Sequence, residues 1–186
     1  MPEITVLIGN PKAHSRTRVI AEALATRMSG VTGVPLGMTI DLADYASELF
    51  EWPNAAVDAV SERVRQSTIV LVATPTYKAS YTGLLKAFLD RYPHNGLSGV
   101  TAVPLMTTSS PNHALAVEFT LRPLLVELGA SVPTRGLAFY MPDMGRTDDV
   151  LTSWLDDNIL KLTSGILPTA QRPTVQLPLA QKAAAK

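Results

Sequence analysis

The sequence predicts a three-layer α/β domain built on a parallel sheet. Five short, β-rich apolar runs alternate with five segments whose apolar residues recur at helical spacing, the pattern of repeated strand–helix–strand units. Two of those runs, from Thr68 to Ala73 and from Val100 to Met106, are apolar without alternation. Strands covered on both faces read that way. The 186 residues suit one domain, or one domain with a tail.

The elements follow in order. Ile4 to Ile8 forms the first strand, ended by Gly9-Asn10-Pro11. Val19, Ile20, Ala23, Leu24 and Met28 mark a helix from Ser15 to Met28. Met38 to Leu42 is the second strand, and Ala55 to Gln66 a helix with Val57, Val60 and Val64 on one face. After the third strand, Gly83 to Arg91 is helical. Val100 to Met106 is the fourth strand, Asn112 to Leu128 a long helix, Val132 to Tyr140 the fifth strand and Asp148 to Leu162 the last helix. At this size, with the first loop opening directly onto a helix, the expected order is the flavodoxin-like 2-1-3-4-5. The competing Rossmann arrangement is weakened because Gly9 is the only glycine of its loop, so G-x-G-x-x-G is missing. The expected division is a domain over 1–165 and a Pro/Ala-rich tail over 166–186, extended or disordered, or else wrapped on a partner subunit.

Composition excludes several function classes. Sixteen Lys+Arg balance sixteen Asp+Glu, and nucleic-acid or anionic-membrane binding draws on an excess of cations. There is no cysteine, hence no disulfide, thiolate nucleophile or Cys-ligated metal. His14, His94 and His113 lack ligand spacing, so no metal is expected. No signal peptide or membrane span is seen, and a cytoplasmic location is expected. Fourteen prolines remain, several placed where they can shape a site.

In an open parallel sheet, ligands bind beyond the carboxyl ends of the strands at the switch point. That selects three loops. In the first, Ser15, Arg16 and Thr17 stand where a helix begins, and free amides with the positive dipole end favour an anion. Ser15 also suits a plain N-cap. In the second, Pro75 lacks an N–H, so the third strand is expected to break there and Pro75, Thr76, Tyr77 and Lys78 to offer a loop edge to a flat heterocycle. The alternative is a loop whose Tyr77 and Tyr81 pack against neighbouring helices or another subunit, a role that suits Tyr81 more than Tyr77. In the third, Thr107, Thr108, Ser109 and Ser110 can hydrogen-bond a ring system or cap the next helix, where His113 stands as a proton donor or a structural residue. Within that helix, Pro123 removes the N–H that would bond the Phe119 carbonyl, which predicts a kink or a π-type bulge near Phe119. Leu115, Phe119, Leu121, Leu124 and Leu125 exceed one core face and point to a subunit interface.

These segments resemble the NAD(P)H-dependent FMN reductase family of flavodoxin-like proteins, and most closely its alkanesulfonate-monooxygenase-associated branch. The family opens with G-S-[PL]-x-x-x-S-x-[ST/N], which stands here as Gly9 to Thr17 with Asn10 for Ser. A-T-P-x-Y-x-x-x-Y-[ST]-G-x-L-K-x-x-L-D matches from Ala73 to Asp90. The usual T-G-G is Thr107-Thr108-Ser109 here, a loop with less backbone freedom. H-x-L-A-V-[DE]-[YH]-x-L-[KR]-P fits from His113 to Pro123, with Phe119 where that branch tends to carry Tyr. The resemblance covers residues 3 to 165. It implies FMN as cofactor and NADPH or NADH as hydride donor, with no catalytic protein group required. It places the FMN phosphate at Ser15, Arg16 and Thr17, and the ring against Pro75 to Lys78 and Thr107 to Ser110. It also implies a homodimer or homotetramer, and a flavin-dependent monooxygenase as downstream partner. Phe119, with Pro123 and His113, is expected to bear on flavin retention and the interface. The alternatives are an FMN-containing quinone, azo or metal-ion reductase, and a flavodoxin-type electron carrier; the balanced charge disfavours the carrier.

Overall fold

The computed structural model describes residues 3–164 and 166. Five parallel strands lie in the order β2-β1-β3-β4-β5, as the sequence predicts. The strands are β1 (Ile4–Ile8), β2 (Leu36–Asp41), β3 (Ile69–Pro75), β4 (Thr101–Thr108) and β5 (Leu137–Tyr140). The helices are α1 (Arg16–Thr32), α2 (Ala55–Gln66), α3 (Gly83–Leu89), α4 (Arg122–Glu127) and α5 (Thr147–Ser164). All of β1, β3 and β4 is buried. One side of the sheet packs Leu7, Val70, Val72 and Met106 against α2, α3 and α4 through Val57, Phe88 and Leu125. The other packs Ile4, Ile8, Leu71 and Leu105 against α1 and α5 through Ile20, Leu24 and Trp154. Of the expected tail, only Ile166, which packs on that second core, lies within the described residues.

Four expectations are corrected. Pro75 does not break β3: it pairs with Thr107 as the last residue of the strand. Backbone groups of a strand alternate between its two neighbours. Ala73 C=O accepts Gly9 N–H on the β1 side and Thr76 N–H donates to Thr107 on the β4 side. The missing N–H of Pro75 therefore faces β1 just beyond its end, where nothing requires it. Thr107 and Thr108 belong to β4 rather than to the loop after it. Residues 132–136 form no ladder, so β5 starts at Leu137. Side chains take their backbone groups instead: Arg122 bonds the carbonyls of Val132 and Thr134, Asn158 the amide of Arg135 and Glu118 the amide of Gly136. Finally, the long helix expected over 112–128 is three pieces: a 3-10 turn (Pro111–His113), a π-helical stretch (Val117–Leu121) and α4. The π stretch is the bulge that Pro123 predicts, and Arg122 N–H reaches back to Val117 C=O.

Candidate functional site

The carboxyl ends of β1, β3 and β4 adjoin in the sheet, so the loops that leave them share one rim. The first runs from Gly9 to Ser15. Gly9 is required by close approach, since a Cβ there would lie 2.6 Å from the Leu85 Cβ. His14 sits in the left-handed region at φ 52°. Ser15 is the N-cap of α1, its Oγ accepting Arg18 N–H at 3.3 Å. The amides of Arg16 and Thr17 donate to no group among the described residues. At the head of a 17-residue helix, two free N–H groups and the positive end of the dipole are an arrangement that favours an anion. Lys12, His14 and Arg16 are exposed around it.

The second loop leaves β3. Thr76 Oγ1 is buried with no partner among the described residues, a group that a ligand or a water would satisfy. Tyr77 and Ser80 exchange backbone bonds of 2.8 and 3.1 Å across a two-residue turn. Lys78 and Ala79 at its tip have φ of 51° and 62°. That pair of signs at both central positions is ordinarily met by Asn or Gly, so the tip is held under strain. Tyr77 is 52% exposed, whereas Tyr81 packs on the α2–α4 core.

The third segment begins inside β4. Thr108 Oγ1 donates to Ser110 C=O at 2.9 Å and accepts Ser110 N–H at 3.2 Å, and Ser110 Oγ caps the following 3-10 turn through Asn112 N–H. Ser109 is exposed. His113 is half-buried and its ring bonds nothing among the described residues. Phe119 is 74% exposed and Leu115 58%, while Leu121 and Leu125 of the same stretch are buried in the core. Pro123 lies exposed in the first turn of α4.

Hydroxyls join the loops in ways the motifs do not announce. Thr17 Oγ1 lies 2.8 Å from Thr107 Oγ1 and accepts Asn10 Nδ2 at 3.2 Å. Thr82 caps α3 and donates to Gly9 C=O at 2.5 Å, with Thr74 on the same carbonyl at 3.3 Å. Sequence reasoning passed over Asn10, Thr74 and Thr82. The signal for Thr82 was its place as a hydroxyl residue before a helix, and Asn10 and Thr74 carried none.

The electrostatics of the rim are one-signed. No Asp or Glu occurs in 9–21, 73–89 or 101–117, and no ion pair holds Lys12, Arg16 or Lys78 among the described residues. Among the described residues no cluster of His, Asp and Glu could hold a metal, and no helix is long and apolar enough to cross a membrane. The residues present fit FMN: free amides and cations for a phosphate, and polar backbone and hydroxyl edges on β3 and β4 for a planar ring.

The fold and this rim define a flavodoxin-like oxidoreductase that uses a flavin. The family model for NADPH-dependent FMN reductase matches residues 2–141, and the chain belongs to that family. It is 31% identical over 137 residues to an FMN reductase (NADPH) of Escherichia coli, spanning 72% of this chain and 71% of that one. To the NADH-dependent FMN reductase SfnF of Pseudomonas putida it is 32% identical over 139 residues, 72% and 75% of the two chains. Among solved structures, the apo form of an NADH:FMN oxidoreductase (EMOB) superposes with a TM-score of 0.82 at 30% identity, over 92% of this chain and 94% of that one. The protein is thus an enzyme, an oxidoreductase acting with FMN and with NADPH or NADH.

Proposed function

We propose that this chain takes up FMN as an exchangeable substrate, reduces it with NADPH or NADH in the cytoplasm, and releases it to a flavin-dependent monooxygenase. The observation that carries this reading is the anion site at the head of α1, with two free amides and Arg16, on a rim that contains no acid. Ser15, Arg16 and Thr17 would hold the phosphate, Thr17 through its amide. Pro75, Thr76, Tyr77 and Lys78 would line one side of the ring, and Thr107, Thr108, Ser109 and Ser110 the other. When bound, FMN supplies the ring that accepts hydride from the nicotinamide. The protein needs no acid or base of its own. Its residues anchor the phosphate by charge-assisted bonds and fix the edge of the ring against the backbone at Thr76.

The assembly we propose is a homodimer or homotetramer in which a second copy covers the apolar face of Leu115 and Phe119. That face is continuous with the π stretch and exposed in the single chain. Phe119 thereby bears on how tightly flavin is held, together with Pro123, which sets the bulge, and His113 in the 3-10 turn that precedes it.

Steady-state kinetics with FMN and a quinone as varied acceptors tests the reading. Saturable turnover of free FMN, with flavin lost from the protein on gel filtration, is the expected result. Ping-pong transfer to the quinone with flavin retained would replace it with a quinone-type reductase.

A further inference from the structure

β1 and β4 are not neighbours: β3 lies between them, which separates them by about 10 Å at the usual strand spacing. The first turn of α1, which follows β1, is nonetheless tied directly to the end of β4 by the hydroxyls of Thr17 and Thr107, 2.8 Å apart. Thr17, Thr107 and Asn10 are 2%, 4% and 8% exposed, so the tie is sealed from water. It continues at both ends. Asn10 Nδ2 donates to Thr17 Oγ1 at 3.2 Å, and Asn10 Oδ1 accepts Lys12 N–H at 2.9 Å. The carbonyl of Thr107 accepts Thr76 N–H at 2.8 Å. Thr107 thereby bonds the head of α1 and the segment that leaves β3, and Asn10 carries the contact into the first loop.

We infer that Thr107 is a positioning residue whose buried hydroxyl contact with Thr17 sets the separation between the anion site of α1 and the edge of β3 and β4. This rests on the FMN reading above. FMN has its phosphate at one end and its ring at the other, so a ligand engaging both loops senses their separation. A ligand that engages only the ring side does not. The two hydroxyls contact each other, so they act by holding their backbones in place, from which Thr17 offers the phosphate its amide.

Binding of FMN and of riboflavin, which lacks the phosphate, by wild type, Thr17→Val, Thr107→Val and the double variant tests this by flavin fluorescence. Each single variant should raise the Kd for FMN about three- to tenfold, the range of one net hydrogen bond, and leave that for riboflavin within about twofold. The double variant should be no worse than Thr17→Val, because Thr107→Val removes no contact that Thr17→Val leaves in place. Thr107→Ser, which keeps the hydroxyl, should restore FMN binding. A parallel loss for both flavins, losses that multiply in the double variant, or an unchanged Kd for FMN would each overturn the proposal and leave the flavin reading standing. A wild type that binds no FMN would overturn both. If Thr107→Val does not fold, Thr107→Ala removes the same hydroxyl and reads the same comparison.

Discussion

Glu118 and Arg122 face each other across the π-helical stretch at 2.5 Å and together hold the strandless segment that leads into β5. Arg122 also binds the carbonyls of Val132 and Thr134, and Glu118 Oε1 accepts Gly136 N–H at 2.6 Å. Both residues match the family's motif, and their place in the fold explains why. They secure the segment behind the rim. Arg122→Met should cost about 2–3 kcal/mol, since it strands two carbonyls and a carboxylate. The urea midpoint reads this; an unchanged midpoint would contradict it.

The same pair sets an acid limb. Burial alone would push the Glu118 carboxyl up, but the Arg122 hydrogen bond, the Gly136 amide and the charges of Arg122 and Arg135 outweigh it, so it lies below the ordinary 4.5. A depressed folded value stabilises the protein above the unfolded value and is lost as pH falls through the folded one. Wild type should therefore lose stability below pH 4.5, and Glu118→Gln should flatten that limb. Urea midpoints across the acid range test it, and parallel profiles would contradict it.

Gly9→Ala places a methyl 2.6 Å from the Leu85 Cβ, a contact that requires α3 or the first loop to move. We expect a loss of about 1–3 kcal/mol, as for other overpacked sites, together with weaker FMN binding. Thermal unfolding and a flavin titration on the same sample read both. Wild-type values for both would show that the approach is not needed.

Arg16→Ala removes an exposed cation from the anion site and no packing. Its KM for FMN should rise about 10- to 100-fold, the range for a bond to a charged group, with little change in the urea midpoint. A KM within twofold of wild type would move the phosphate elsewhere.

Much of the fold was legible because its signals are local. β1 and α2 begin and end where the apolar pattern does, and Pro123 announced the π stretch by the carbonyl it orphans. What failed depended on partners distant in the chain. Pro75 reads as a strand breaker until one knows that β1 ends before it. Residues 132–136 read as strand because their apolar pattern does not reveal that Arg122, Glu118 and Asn158 take the backbone groups. Of the candidate site, topology alone selects the three loops that leave β1, β3 and β4. The contact of Thr17 with Thr107 joins residues 90 apart, and no local pattern encodes it.

The central claim is that this rim brings FMN and a reduced pyridine nucleotide together for hydride transfer. Anaerobic stopped-flow mixing of the protein and FMN with NADPH, and separately with NADH, tests it most directly. The account predicts bleaching of the visible flavin band with at least one nucleotide, faster than without protein. No bleaching above the protein-free rate with either nucleotide would contradict it.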